Sequence, residues 1–596
     1  MLYNNRMRPA FATVGAEKSP ATASKNRNDA LMFDANSAAD DFGAFTSDQT
    51  RERAPRRERP APQRKQKKSN KRLWIIAIAA VAAAVLLCVL IGTAIFNSSK
   101  DIHYTDNTYL AYVEDNGNYR VAVNGKVLDE SFDGETRVIP SLDRSFAYVE
   151  CNGADGYLIY LLEGKKLTPI TTEESAVTEV LGYAESKPGV IYREEGNVYI
   201  YNEEIDGEDL IEKNAAAADF ILSGDASTVV YTRPNEDETI QDGGRLYLYR
   251  DGSSAPIGVK NCTPTEISNN GNYVYAYGYT AAGARKLYCI TTNDGEKYPV
   301  CEADFGGITA INVTGDEILY YTQSADAKIN AYIYSFLKNE NIEIAKGKGI
   351  FFPAAVDPTV ARYSTFANCY LQSINLGSGL LDEEGATTGY TYHLNKKFEV
   401  RAIASALGKF SPDGKYFYYV NSKNSLYQVK LDEENEAPKK IYEDTIDFAV
   451  TEKGNVYMLD EQNFLYFYNA STGKKKSINK NAIEISMHQY ANKLYFITED
   501  ETNVYMTEEG SAKEAVTFDG VQLSALPEFN TNYSKKTFSY FYDENAGYSL
   551  FYTANGKTFK LLTSDCDDIV QSTDFSGGIA DLVDALNDLM TNSGLG

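Results

Sequence analysis

The residue types that catalysis most often uses are few and scattered in this chain. Its 596 residues hold three histidines, His103, His393 and His488, each without a second histidine at ligand spacing. There is no His-Glu-x-x-His, no Cys-x-x-Cys and no glycine-rich phosphate loop. The Gly-x-Ser-x-Gly elbow that exposes a hydrolase serine is absent as well. Carboxylates are the one abundant reactive group, 83 acidic residues against 58 basic. The nearest approach to a calcium loop is NEEIDGEDLIEK (202–213), where Glu204, Asp206 and Gly207 stand at suitable offsets. Its twelfth position is Lys213, where calcium needs a bidentate glutamate, so the segment reads as an acidic hairpin turn. A glycosidase needs only two carboxylates about 5–10 Å apart, a separation that spacing along a chain does not fix. The sequence therefore assigns no catalytic, cofactor-binding or metal residue and implies no cofactor.

Cysteine adds one local pairing. Cys88 falls in an apolar run, leaving Cys151, Cys262, Cys289, Cys301, Cys369 and Cys566. Cys289 and Cys301 flank an Asn-Asp-Gly turn at 293–295, which would let them face each other across one hairpin; buried thiols are the alternative.

The charge that these groups carry is partitioned. Residues 1–72 hold 16 basic and 8 acidic residues, a net of +8. From Leu73 to Phe96 the chain runs 24 residues without a charge, LWIIAIAAVAAAVLLCVLIGTAIF. As a helix that spans about 36 Å, enough for a hydrocarbon core of ~30 Å, so membrane lipid is an expected partner of Leu73–Phe96. Eleven basic residues in 51–72 precede the run, and the positive-inside rule puts the N-terminus in the cytoplasm and the remainder outside. The 72-residue leader fits an uncleaved signal anchor rather than a cleaved signal peptide. Residues 1–72, rich in Ala, Asn, Ser, Asp and Arg with no sustained periodicity, read as a disordered basic tail. Beyond the run lie 42 basic and 75 acidic residues, a net of −33, which argues against nucleic acid as a partner.

Forty-four of the 45 tyrosines also lie beyond residue 96. They recur in one phrase, an apolar–Tyr strand, a polar turn, then a second Tyr-rich strand ending at Gly. Tyr112, Tyr148, Tyr192, Tyr231, Tyr275 and Tyr320 are spaced 36, 44, 39, 44 and 45 residues apart. Tyr418 follows after 98, about two periods, then Tyr457, Tyr495 and Tyr540 after 39, 38 and 45. The unit between Tyr320 and Tyr418 is expected in 360–400, with GYTYHLN (389–395) as one of its strands. Alternation at period two closed by Asn-Gly or Asp-Gly marks hairpins. A period near 40 with several strands marks propeller blades. Pairs such as Tyr247/Tyr249, Tyr332/Tyr334 and Tyr466/Tyr468 share a strand face, so an exposed aromatic strip is a further expectation.

The segment FSPDGKYFYYV (410–420) resembles the Phe-Ser-Pro-Asp-Gly-Lys opening of the WD40-like repeats in TolB-type propellers. Looser versions stand at ISNNGNYVYAY (267–277), LSGDASTVVYT (222–232) and PSLDRSFAYVE (140–150). The resemblance covers most of 102–571. It implies the fold, with the Ser/Asp/Gly turn leading into an inner or middle strand of a blade, and no particular activity. The Trp-Asp signature of WD40 repeats proper is missing, and nothing resembles the separate N-terminal domain of TolB. The expected fold is all-β, a propeller of about eleven blade-like repeats. Because propellers usually close with four to eight blades, two tandem rings are expected, 97–350 and 351–571, divided where regularity breaks between about 346 and 409. Residues 572–596 are expected to hold a short amphipathic helix, with Ile579, Leu582, Val583, Leu586 and Leu589 at helical spacing. The function read from this is a membrane-anchored extracytoplasmic binding or scaffold module with a protein or cell-envelope partner. The alternative is a carboxylate-dependent, glycosidase-like hydrolase with its site in the propeller channel.

Overall fold

The computed structural model describes residues 100–570 apart from 155, 173–176, 204–206, 214–217, 235–243, 281–282, 302–303, 325–327, 355, 358, 375–388, 405, 433–436, 500–502, 524, 531–534 and 544–546. The expected cytoplasmic tail, the membrane-spanning run 73–96, the terminal helix in 572–596 and the turn residues Glu204 and Asp206 lie outside the described residues. Among the described residues no helix is long and apolar enough to cross a membrane.

Those residues fold into eleven four-stranded antiparallel sheets, the blades of a β-propeller. Blade 2 shows the pattern, with Glu135–Pro140, Ala147–Gly153, Gly156–Glu163 and Lys166–Pro169 succeeding one another across the sheet. Blades 3 to 6 cover 177–212, 218–256, 263–301 and 305–346, and blade 7 covers 350–404. Blades 8 to 11 cover 409–442, 445–479, 482–515 and 528–566. Blade 1 is composite. Its strands Tyr109–Val113, Tyr119–Val123 and Lys126–Phe132 are completed by Asp568–Val570 from the far end of the chain, with Ala111 opposite Val570. This pairing closes the ring.

The expectation of two rings is corrected by the core. Buried apolar clusters fill the junctions between successive blades, one cluster to each of the eleven. They run straight across residue 350, where Leu319 and Ile333 of blade 6 pack with Phe351 and Leu371 of blade 7. Leu110 and Tyr112 of blade 1 pack with Phe538 and Leu550 of blade 11. All eleven blades form one ring, and the irregular stretch near 350 is an insertion within blade 7. There the first strand, Ile350–Pro353, is separated from the second, Tyr370–Ile374, by a segment that leaves the blade; Gly389–Leu394 is the third.

The period set by tyrosine has a packing cause. Tyr112, Tyr148, Tyr192, Tyr231, Tyr275, Tyr320, Tyr418, Tyr457 and Tyr495 are among the largest fully buried side chains, all on second strands of blades. Burying such a ring stabilises by about 1.5–3 kcal/mol. Several also bind the next blade through their hydroxyls. Tyr148 donates to Ala184 O (3.0 Å), Tyr275 to Gly315 O (2.8 Å) and Tyr418 to Gly454 O (2.7 Å). The tyrosine thus fills one junction and fixes the turn beyond it.

In blades 2, 4, 5 and 8 the corresponding turn, between the first and second strands, is a repeated Ser-x-Asp or Ser-x-Asn element. Ser411 Oγ donates to Asp413 Oδ1 and accepts from Tyr416 N. Ser141/Asp143, Ser223/Asp225 and Ser268/Asn270 repeat the arrangement in blades 2, 4 and 5. Gly315 closes the blade 6 turn at φ +77°, where a Cβ would stand 2.1 Å from Ser268 Cβ of blade 5. Only glycine permits both that backbone and that approach.

Candidate functional site

The inner strands of neighbouring blades approach one another around the axis, and the charged groups there form the candidate site. On one side the chain itself crosses. Ile102–His103 pairs antiparallel with Val360–Arg362, with Ile102 opposite Arg362 and His103 opposite Val360. Around this two-stranded ladder, Tyr104 N donates to Thr359 O (2.8 Å), and Ser364 N and Oγ both donate to Asp101 Oδ1 (2.7 and 2.8 Å). We call residues 359–366 the strap. It is tied to blade 6 through Val313 N to Tyr363 O (2.9 Å), and through Thr365 Oγ1 and Phe366 N, which both donate to Glu317 Oε2 (2.8 Å each). The leading segment reaches blade 2, where Thr105 N donates to Asp143 O (2.7 Å).

The charge of the strap is met from two further blades. Arg362 Nη2 lies 2.6 Å from Glu185 Oε2, which stands in the turn joining the first two strands of blade 3. Glu266, on the inner strand Thr263–Ile267 of blade 5, faces the same pair. Burial, with the Glu185 charge adding to it, pushes the Glu266 carboxyl up to about 7; Arg362 and the Ile267 N–H oppose the rise. Glu185 and Arg362 are thus an ion pair between blade 3 and the strap whose charges act on Glu266 of blade 5.

The other side of the axis, formed by blades 8 to 11, keeps an exposed arc. Lys409, Asp447, Glu484 and Glu528 stand on the inner strands of these four consecutive blades, all exposed. The Asp447 carboxyl lies above its ordinary range because the surrounding ring wall strips part of its solvent, with Lys409 and the Phe448 N–H opposing. Glu484 is raised by the same loss of solvent, and the charges of Asp447 and Glu528 add to that rise.

The histidines do not join this site as a group. His103 lies beside the strap, its Nδ1 3.0 Å from Thr359 Oγ1, and His393 packs its ring against Tyr370. His488 is buried at the end of the blade 10 inner strand, where burial pushes it down to about 4. The proposed cysteine pairing is not formed. The register sets Cys301 opposite Leu287 and Cys289 opposite Tyr298, so the two cysteines stand at different positions along the ladder. Cys151, Cys262, Cys289, Cys369 and Cys566 are buried free thiols. The expected aromatic strip is not exposed either. Tyr249, Tyr334 and Tyr468 are buried, and Tyr247, Tyr332 and Tyr466 pack against the blade junctions. Among the described residues no group of three or more His, Cys, Asp or Glu side chains is placed to hold a metal ion.

Sequence reasoning missed Asp447, Glu484, Glu528, Glu266, Glu185 and Arg362. A signal for four of them was present. Glu266, Asp447, Glu484 and Glu528 stand 9, 10, 11 and 12 residues before Tyr275, Tyr457, Tyr495 and Tyr540, so a scan of that window would mark the axial positions.

Solved structures that resemble the chain include TolB and the β-propeller domain of the Trilobed protease from Pyrococcus furiosus. TolB from Acinetobacter baumannii is 11% identical, covering 41% of this chain and 65% of its own, at a TM-score of 0.25. An oligogalacturonate lyase in complex with manganese is 14% identical, covering 56% of this chain and 98% of its own, at a TM-score of 0.31. The tricorn protease is 12% identical, covering 72% and 47%, at a TM-score of 0.23. The resemblance to TolB-type propellers holds for the fold alone. This chain spans less than two-thirds of the length of TolB and under half that of the tricorn protease. No protein-family model matches the chain, and no curated protein does.

Proposed function

We propose that the chain is a binding or scaffold propeller, held at a cell membrane by residues 73–96 with its N-terminus in the cytoplasm and its ring outside. The observation that supports binding most is the construction of the ring. Successive blades are fastened through buried tyrosines, and the axis is crossed by the chain's own strap, which favours a rigid frame that displays loops. The net charge of −33 beyond residue 96 favours a partner with cationic groups, a protein or a cell-envelope component. Affinity capture with the full-length chain, repeated across a salt series, tests this. A partner whose retention falls steeply with ionic strength supports the reading, and a partner held equally in low and high salt would overturn the electrostatic part of it. Protease added to intact cells tests the topology; digestion of 1–72 with the ring untouched would refute it.

A second reading, a carboxylate-dependent hydrolase, is favoured by the arc of Asp447, Glu484 and Glu528 on the axial side of blades 9 to 11. Hydrolysis of a glycan panel by the wild-type chain that is lost in both Asp447→Asn and Glu484→Gln would establish it over the binding role.

A further inference from the structure

The two faces of the ring differ in charge where the chain enters it. Strands alternate in direction across each blade, so the turns joining first to second and third to fourth strands share one face. The turns joining second to third strands, and the links between blades, share the other. The leading segment enters on the first face, through blades 11, 1 and 2. Asp106 pairs with Lys536 at 3.2 Å, and Asn124 Nδ2 donates to Asn107 Oδ1 (3.0 Å). Thr105 Oγ1 and Asn107 Nδ2 both donate to Arg144 O (2.8 and 2.9 Å). Around that entry, at the turns of these three consecutive blades, stand Lys126, Lys165, Lys166, Lys535, Lys536 and Lys557, all exposed except the half-buried Lys536. The carboxylates beside them are few. Asp106 is taken by Lys536, Asp143 accepts from Ser141 within its own turn, and Glu163 stands opposite Lys166. On the other face of the same blades, the turns and links carry Glu114, Asp115, Asp133, Asp543 and Asp567, with no lysine or arginine among the described residues.

We propose that this lysine arc seats the ring on the anionic headgroups of the bilayer that holds residues 73–96, with the acidic face of blades 11, 1 and 2 turned away from the lipid. The proposal rests on the membrane-anchored reading above. Reach and charge carry it. From Phe96 to Asp101 the chain makes five steps, at most about 18 Å, so the entry face is kept beside the bilayer. The second strands Tyr109–Val113, Ala147–Gly153 and Thr537–Asp543 hold 5, 7 and 7 residues, which parts the two faces by about 17–23 Å. Salt screens charge within ~8–10 Å. The lysines therefore meet the headgroups while the carboxylates of the far face stay beyond their field, whatever the net charge of the ring.

A lysine near an anionic surface favours the seated state by about fivefold. Lys165 is held below the ordinary lysine range by Lys126 of the neighbouring blade, through a hydrogen-bonding contact first and like charge second, a crowding that an anionic group relieves. A soluble polyanion offers the same chemistry, but the tether keeps lipid at the arc at a high effective concentration, so lipid is the occupant.

Lysine acylation tests the seat, read by mass spectrometry on the full-length chain in nanodiscs. One set of discs is phosphatidylcholine alone, the other phosphatidylcholine and phosphatidylglycerol in equal parts. Lys126, Lys165, Lys166, Lys535 and Lys557 are expected to react about fivefold or more slowly in the anionic discs. Lys260 and Lys423, exposed on the other face, are expected to react alike in both. The difference is expected to vanish in ~1 M salt, where screening shortens to ~3 Å. Joint replacement by Lys126→Glu, Lys165→Glu and Lys557→Glu is expected to return Lys166 and Lys535 to their rates in phosphatidylcholine. A chain that enters both discs and reacts alike in them would overturn the seat and leave the anchor standing. A chain recovered outside both discs would overturn the anchor and the seat with it. Slowing shared by Lys260 and Lys423, or kept in the triple variant, would also overturn the seat. So would slowing by soluble polyphosphate without slowing in the anionic discs, which would assign the arc to a soluble polyanion.

Discussion

The blade junctions and the axis of this ring are held by different physics. Each junction repeats one solution, a buried tyrosine on a second strand among apolar neighbours, its hydroxyl often spent on the turn of the next blade. The axis has no repeat. There, one insertion in blade 7 meets the leading segment, and polar groups from blades 2, 3, 5 and 6 converge on them. Burial of apolar area is non-directional and tolerates variation in partner, so it can be copied eleven times. An ion pair and a short ladder need specific partners at specific distances, so they occur once. The difference teaches where the general and the particular are separated: the junctions set whether the ring exists, and the axis ties the leading segment and the strap to it.

The contrast breaks first at the junctions. Tyr418→Ala empties a fully buried site and is expected to cost about 3–5 kcal/mol in denaturant unfolding of the ring. Tyr418→Phe keeps the ring and loses only the bond to Gly454 O and the one from Gln428 Nε2, and is expected to cost about 1–2 kcal/mol. An equal loss in the two variants would remove packing as the basis of the junctions.

Acid sharpens the comparison, because junction and axis carry titrating groups of opposite sign. His488 is held neutral at the blade 10 end, against Phe529 of blade 11, with its value down near 4. A depressed histidine favours the folded state above its ordinary 6.5, and that contribution is lost progressively as pH falls towards about 4. It is worth up to about 3 kcal/mol. Unfolding followed from pH 7 to 4 should show this loss in the wild type and not in His488→Gln.

At the axis itself, Arg362→Met removes the charged partner of Glu185 and is expected to weaken strap docking by about 1.5–3 kcal/mol. Exchange at Tyr104 and Ser364 should quicken accordingly, with the unfolding midpoint of the ring little changed. A matching fall in global stability would show the strap to be part of the ring's framework.

The same division governed what the sequence revealed. The anchor tyrosines from Tyr112 to Tyr495 announce themselves by spacing, because a junction solved the same way leaves the same residue at the same interval. FSPDGK likewise marked a turn whose bonds are the ones its Ser and Asp make. Closure did not show, since Asp568–Val570 and Tyr109–Val113 meet across the length of the ring and a three-residue strand has no pattern. The break after Lys346 was visible as a loss of period, but a loss of period reads the same whether a new ring begins or a strap departs. Arg362 and Glu185 are ordinary surface-type residues in ordinary turns, and only their meeting gives them meaning.

The leading segment joins the ring at its hub. Asp101 to Thr105 is fastened to the strap and to blade 2 before the chain reaches blade 1 at Tyr109. A pull on residue 100 is therefore delivered to the Asp101–Ser364 and Tyr104–Thr359 bonds first, and spread through the strap to blades 3 and 6. The three-residue seam that closes the ring is shielded from that load. Mounted this way, the ring behaves as a wheel carried on its axle, and no single blade bears the tether.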